Sequence, residues 1–289
     1  SQFPNEPRVI ICDRGLKDFE AYIGEKNFSA LLEDVNCNIS HIYGRYDGIV
    51  DLVTAANGAE EYYTLENNKA RQETTLEEAR KNCKAVQDAW VGHPHLWIID
   101  NSTNFELKLK RVLRAICRTL GIPAPIEIER RFLIKDLPNF QSAVFDNIKI
   151  QKISMEQMYL KSQDENEELR IRRRSQWDSS NYYYTTKDRR GQWPIEKETS
   201  ISARDYLALQ NYLKDPQKDV IRKNRYCFVY KNQYFELDYF LAPDRHRGKI
   251  ILEIELTEEN DKVEIPPFLD VIREITGDKS YSNYALASA

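Results

Sequence analysis

From Ile126 to Leu256 charged and apolar side chains alternate with a period of two, and eight stretches share the pattern. Successive side chains of a β-strand point to opposite faces, so residues two apart line one face. In IEIERRFLI, Glu127, Glu129 and Arg131 fall on one face and Ile126, Ile128 and Phe132 on the other. Arg170, Arg172 and Arg174 do the same in LRIRRR, Lys223 and Arg225 in IRKNRYCFVY, and Glu253 and Glu255 in KIILEIEL. The pattern predicts strands at 126–134, 150–161, 168–175, 182–188, 193–199, 220–230, 233–240 and 249–256. One face of these strands is ionic and sorts into acidic and basic strands, which a closed barrel with a charged, solvated lumen explains. A helix is expected at 203–214, opened by Ser202 and Asp205 as a capping box, and another at 267–276 between Pro267 and Gly277.

The chain before this region has another rhythm. RVIIC (8–12), GIVDLVT (48–54) and LWIID (96–100) are apolar runs of strand length, and a helical pattern covers 18–32. Leu76, Ala79, Cys83, Val86 and Trp90 mark one face of a helix capped by Thr74 or Thr75. Phe105, Leu109, Val112, Leu113, Ile116 and Leu120 mark the next, stopped by Gly121. Strands alternating with helices predict an α/β layer with a mostly parallel sheet. The expected organisation is an α/β domain over 1–121, a linker at 122–125, and a β-rich α+β domain over 126–289 with an eight-stranded antiparallel tunnel barrel.

Composition narrows the partners. The 289 residues carry a net charge of −4, so nothing global points to nucleic acid or an anionic membrane. No apolar run reaches the roughly 20 residues of a membrane helix, and no signal-peptide pattern opens the chain. The five cysteines are scattered and form no C-x-x-C, as small buried residues of a reducing compartment would. The chain reads as cytoplasmic. His93 and His95 in GHPH read as structural or surface groups.

Carboxylates repel one another unless cations compensate them. Glu127, Glu129, Glu253 and Glu255, with Glu196, Glu198 and Asp238, supply oxygen ligands suited to Mg²⁺ or Mn²⁺. Arg170, Arg172, Lys187, Lys223 and Arg225 offer donors for phosphate oxygens. A solvated sheet laced with salt bridges is the plain alternative.

The ordered motifs IEIERRFLI, QMYL, ELRIRRR, TTKD, IEKE, RKNRY, FELDYF, ILEIEL and TGDKSYSNYALA resemble those of the CYTH domain, the fold of triphosphate tunnel metalloenzymes. That resemblance implies paired glutamates holding metal and basic residues gripping a triphosphate, with Arg131 standing where the opening signature has lysine. In the first region, Asp13 followed by Arg14 and Gly15 resembles the Walker-B-like position of a P-loop kinase fold, and Arg71 and Arg80 stand where lid arginines would. No G-x-x-x-x-G-K-[ST] occurs. Binding of GTP or ATP is therefore expected only if a segment carrying that loop precedes Ser1.

Taken together with AANGAE, AWVGHP and DNS (the last containing Asn101), the chain resembles the TRPL translocation defect protein family, an AAA-type P-loop NTPase domain joined to a CYTH-like domain. The resemblance implies GTP binding, phosphoinositide or polyphosphate binding, trafficking-protein partners and a role in vesicular trafficking of membrane proteins, peripheral on membranes or vesicles. Two alternatives stand beside it: a metal-dependent triphosphatase, and a structural module with vestigial ligand sites.

Overall fold

The computed structural model describes residues 9–64, 73–122, 128–177, 179–190, 195–258 and 260–288. Its first part holds helices α1 (Asp18–Ile23), α2 (Glu25–Asp34) and α3 (Ile39–Tyr43), strand β1 (Ile49–Leu52), helix α4 (Leu76–Trp90), strand β2 (Leu96–Ile99) and helix α5 (Phe105–Leu120). β1 and β2 pair in parallel, Ile49 opposite Leu96 and Leu52 opposite Ile99. Thr75 caps α4 by accepting the Glu78 N–H at 3.1 Å, and Gly121 ends α5 in the left-handed region at φ 68°.

Two expectations for this part are corrected. The helix foreseen over 18–32 breaks at Gly24, whose φ of 82° no α-helix accommodates. Val9–Cys12 form no strand, and Val9, Ile10 and Ile11 are exposed. Apolar character alone does not make a strand; its backbone N–H and C=O groups need a neighbour. β1 bonds β2, and among the described residues no strand lies beside Val9–Cys12. Of the five cysteines only Cys227 is buried.

The rest of the chain builds one antiparallel sheet. Its strands are β3 (Glu129–Ile134), β4 (Gln151–Leu160), β5 (Glu167–Gln176), β6 (Ser179–Asp188), β7 (Ile195–Ile201), β8 (Ile221–Tyr230), β9 (Gln233–Ala242), β10 (Ile250–Glu255) and β11 (Val271–Glu274). Their spatial order is β11-β3-β10-β9-β8-β4-β5-β6-β7. Among the described residues the sheet thus has nine strands in place of the expected eight, and it is not closed, because β11 and β7 are its two ends. The ninth strand replaces the helix expected at 267–276. Val271 and Ile272 are β-branched, and the free edge of β3 supplies partners, so pairing outweighs the helix start at Pro267. Helix α6 (Ala203–Leu213) buries Tyr206 against Met158, Leu160 and Ile171, and a short helix α7 (Asn283–Ala287) ends the described chain.

One face of β3, β8, β9 and β10 is apolar: Phe132, Phe228, Leu237, Leu252 and Ile254 pack there. Among the described residues the opposite face has its apolar clusters at its two ends. At one end Tyr159, Ile221, Phe240 and Ile251 pack on Leu286 and Ala287 of α7. At the other, Ile153, Met155, Cys227 and Val229 pack on Val91 of the α/β part. Gly92 makes that contact feasible, since a Cβ there would stand 2.6 Å from the Gln151 side chain. Tyr234 closes the junction, its hydroxyl accepting the Gly92 N–H at 3.1 Å and donating to the His93 carbonyl at 3.3 Å. Between these two apolar ends lies the charged band.

Candidate functional site

Strand register assembles the band. Across β5, β6 and β7, Arg170 faces Thr185 and Thr185 faces Glu198, while Glu168 faces Lys187 and Lys187 faces Glu196. Across β8, β9, β10 and β3, Arg225 faces Asp238, Glu236 faces Glu253, Glu253 faces Arg131, and Glu255 faces Glu129. Partners in a ladder share a face, so basic residues cluster on β5, β6 and β8, and carboxylates on β9, β10 and β3. All six predicted phosphate-binding residues, Arg131, Arg170, Arg172, Lys187, Lys223 and Arg225, line one cavity of about 170 Å³. Glu129, Glu196, Glu253 and Glu255 line it too.

Ion pairing holds this band together in a poorly solvated setting. Arg225 donates to both oxygens of Asp238 at 2.7 Å, to Glu253 at 2.8 Å, and to Glu236. Asp238 is fully buried and also accepts from Lys223. Burial alone would raise the Asp238 carboxyl, but Arg225 and Lys223 outweigh it and hold it well below the carboxylate range. Burial lowers the Lys223 ammonium, opposed by the attraction of Asp238. Arg131 donates to Glu253 at 3.1 Å and to the Tyr281 carbonyl at 2.8 Å.

On the basic wall Arg172 grips both oxygens of Glu198 at 2.7 and 2.6 Å, and Glu196 takes Arg170 and, at 3.0 Å, Lys187. Burial pushes Glu198 up, and the guanidinium groups of Arg172 and Arg170 overcome it to hold the carboxyl at about 2. The buried Nε of Arg172 has no hydrogen-bond partner. A buried N–H without an acceptor is unfavourable.

Several lining residues escaped the sequence reading. Glu168 and Glu236 stand two positions before Arg170 and Asp238, so the same period of two marks them. Arg189 lines the same cavity and pairs with Glu168. Ser282, Asn283 and Tyr284 close one side of the cavity. They lie in the TGDKSYSNYALA motif, which by itself gives them no role, because the chain end reaches the cavity only through the tertiary fold.

For a divalent cation, the donors are right in kind: Glu129, Glu236, Glu253 and Glu255 present carboxylate oxygens on three neighbouring strands. Opposed like charges are unfavourable without a cation between them. Here Arg131 and Arg225 fill that role, and among the described residues no three such groups converge on one ion position. Asp238 and Glu198 sit behind the cavity lining as partners of Lys223, Arg225 and Arg172. Glu127 lies outside the described residues.

The residues singled out in the α/β part do not gather. Arg80 donates to the Ala56 carbonyl at 2.6 Å and to Glu60 at 2.9 Å. Asn101 donates to the Thr54 and Asn57 carbonyls at 2.8 and 2.7 Å and accepts from Lys108. Both therefore pin the loop after β1. Arg14 lies 3.6 Å from Asp18, Asp13 is exposed, and among the described residues no bond links either to Arg80 or Asn101. Arg71 lies outside the described residues. His93 is fully buried, its Nδ1 accepting the His95 N–H and its Nε2 facing the Tyr43 and Tyr46 carbonyls. Burial pushes its pKa down to about 3, so it is a neutral structural group.

Comparison with known proteins gives two kinds of likeness. A family model described as an AAA domain matches residues 2–108. No curated protein matches the chain. Among solved structures, the inorganic triphosphatase NE1496 is similar at 26% identity and a TM-score of 0.40, over 56% of this chain and 95% of that one. A second structure of NE1496 gives 28% identity, a TM-score of 0.40, and coverage of 56% and 98%. The PH1819 protein from Pyrococcus horikoshii OT3 gives 20% identity, a TM-score of 0.36, and coverage of 47% and 80%. Among the described residues no helix is long and apolar enough to cross a membrane.

Proposed function

We propose that the charged cavity binds a linear triphosphate together with a divalent cation, and that the protein is a metal-dependent triphosphate hydrolase. The observation that carries this reading is the convergence of Arg131, Arg170, Arg172, Lys187, Lys223 and Arg225 on one cavity whose opposite wall is acidic. The lining holds seven Arg or Lys and six Glu, close to neutral by itself. A bare polyanion would meet carboxylates as often as cations; a polyanion carrying Mg²⁺ or Mn²⁺ matches both walls.

The basic wall has capacity to spare. A guanidinium carries five N–H donors, and Arg172 spends only one nitrogen on Glu198. Its Nε is buried with no acceptor of its own, so a shift of the side chain toward the cavity would give it a phosphate oxygen. Lys187 and Arg170 share Glu196, so phosphate and Glu196 divide their donors between them. Glu129, Glu253 and Glu255, with Glu236, would hold the cation. When bound, the cation lowers the pKa of its water and offsets charge on the leaving phosphate. Arg131 and Arg225, fixed by Glu253, orient the chain of phosphates against that wall.

The test is phosphate release from tripolyphosphate with Mg²⁺ or Mn²⁺. Release by the wild type, and a fall of about 100-fold or more in Arg172→Gln, are expected for loss of a charged donor in a water-poor site. No release and no tripolyphosphate binding by the wild type would refute the reading. The GTP, phosphoinositide and trafficking roles implied by the sequence resemblance rest on its motifs; nothing in the cavity favours them over triphosphate.

A further inference from the structure

A second chamber of about 220 Å³ lies between the α/β part and the sheet. It adjoins the charged cavity: Glu129, Glu236, Glu253 and Glu255 line both. Its character differs. Pro94, Leu96, Trp97, Ile98, Tyr234 and Leu256 give it apolar walls, and Ser102, Asn232 and Gln233 add neutral hydrogen-bonding groups. Two sets of polar groups on the β2 side bear on this chamber. Among the described residues β2 pairs with β1 along one edge only, through acceptors such as the His95 and Ile99 carbonyls. Alternate residues of a strand bond to opposite sides, so the N–H and C=O of Ile98, a lining residue of the chamber, point away from β1, and among the described residues no strand pairs with them. The buried indole N–H of Trp97, another lining residue, also has no hydrogen-bond partner. The great majority of buried backbone groups are paired, so an open edge against a cavity calls for water or a ligand.

We propose that this chamber is the subsite for the organic group of an organic triphosphate, a planar heterocycle bearing amino donors. The inference rests on the triphosphate reading of the adjoining cavity. Adjacent donor and acceptor groups of a strand edge match the adjacent acceptor and amino groups on the rim of such a ring. Seven of the charged residues lining the chamber are acidic and three are basic, which favours amino groups over carbonyl-rich or anionic ones. Through the cation they would hold, the shared glutamates place the first phosphate at the boundary between chambers, and the basic wall takes the remainder. The α/β part thereby sets substrate specificity for chemistry carried out on the sheet.

The experiment is calorimetric titration of the full chain, with Mg²⁺, by inorganic tripolyphosphate and by the β,γ-methylene analogue of ATP. The expected result is binding of the analogue about tenfold tighter, the effect of one or two well-made hydrogen bonds. Pro94→Trp, which fills the chamber, is expected to abolish that preference and keep tripolyphosphate affinity, which reports an intact fold; Ser102→Trp at the rim serves if Pro94→Trp does not fold. Equal affinity of the wild type for both ligands, or a preference that survives the filled chamber, overturns the subsite and leaves the triphosphate reading standing. Binding of neither ligand overturns both.

Discussion

Asp238→Asn tests the electrostatic design of the charged cavity most directly. The carboxylate is fully buried and serves two buried cations at once, Lys223 and Arg225. An amide of equal size keeps the packing and removes the charge. Breaking a buried ion pair from one side costs roughly 3–5 kcal/mol, because the remaining charge is left uncompensated. Arg225 retains Glu236 and Glu253, so the lower end of that range applies to it, whereas among the described residues Lys223 forms no second salt bridge and feels Glu253 only at longer range. For a chain of this size about 3–4 kcal/mol lowers the melting temperature on the order of 10 °C. Two further signs follow. Burial already lowers Lys223 from its ordinary 10.5, and without Asp238 it falls further. The unfolded state then binds more protons than the folded state over the interval between the two values, so the variant's stability rises with pH there. Tripolyphosphate, whose oxygens replace the lost carboxylate, should raise the variant's melting temperature more than the wild type's. Differential scanning calorimetry with and without tripolyphosphate measures all three. A variant that melts within about 2 °C of the wild type would refute Asp238 as the counterion.

Glu198 is held at about 2 against an ordinary 4.5, so its contribution is fully present above pH 4.5 and is lost as pH falls through 2. That difference corresponds to about 3 kcal/mol, and urea midpoints between pH 5 and pH 2 should fall less steeply in Glu198→Gln than in the wild type. Gly92→Val sets a branched side chain against Gln151 at a φ of 98°. A loss of at least about 2 kcal/mol is expected from strain and clash together, read as a lower urea midpoint; an unchanged midpoint would mean that the α/β part does not press on β4.

The charged face was legible because a strand writes its sidedness into every second residue. Arg170 and Arg172 could be assigned to one wall, and Glu253 and Glu255 to another, with no knowledge of which strands are neighbours. Pairing was not legible. That Glu253 lies between Arg131 and Glu236 depends on β10 inserting between β3 and β9, a long-range choice that local pattern does not encode. The same blindness produced the misreadings. Pro267 and Gly277 frame a plausible helix, yet the open edge of β3 claimed Val271–Glu274 as a strand. Val9–Cys12 have strand composition and no strand beside them among the described residues. Asp238 looked like a ligand for metal by composition, and only burial reveals that Lys223 and Arg225 already claim its oxygens.

Joining the two parts is a physical necessity for the sheet as built. Ile153, Met155, Cys227 and Val229 occupy the same face as Arg225 and Lys223, and Val91 covers them. Arg174 donates to the Gly92 carbonyl at 2.8 Å, and Arg111 and Arg118 of α5 reach the Thr257 hydroxyl and carbonyl. A chain cut after Gly121 would present those four apolar side chains to water beside a charged cavity. At roughly 1.5–3 kcal/mol for each fully buried side chain, their exposure costs about 6 kcal/mol or more, comparable to the whole stability of a typical domain. The fragment from Ile122 onward is therefore expected to aggregate or melt far below the full chain, as light scattering and calorimetry would show. A monomeric fragment that keeps the melting temperature of the whole would mean that the α/β part merely rests on the sheet. In that case the charged cavity would owe its shape to the strands alone.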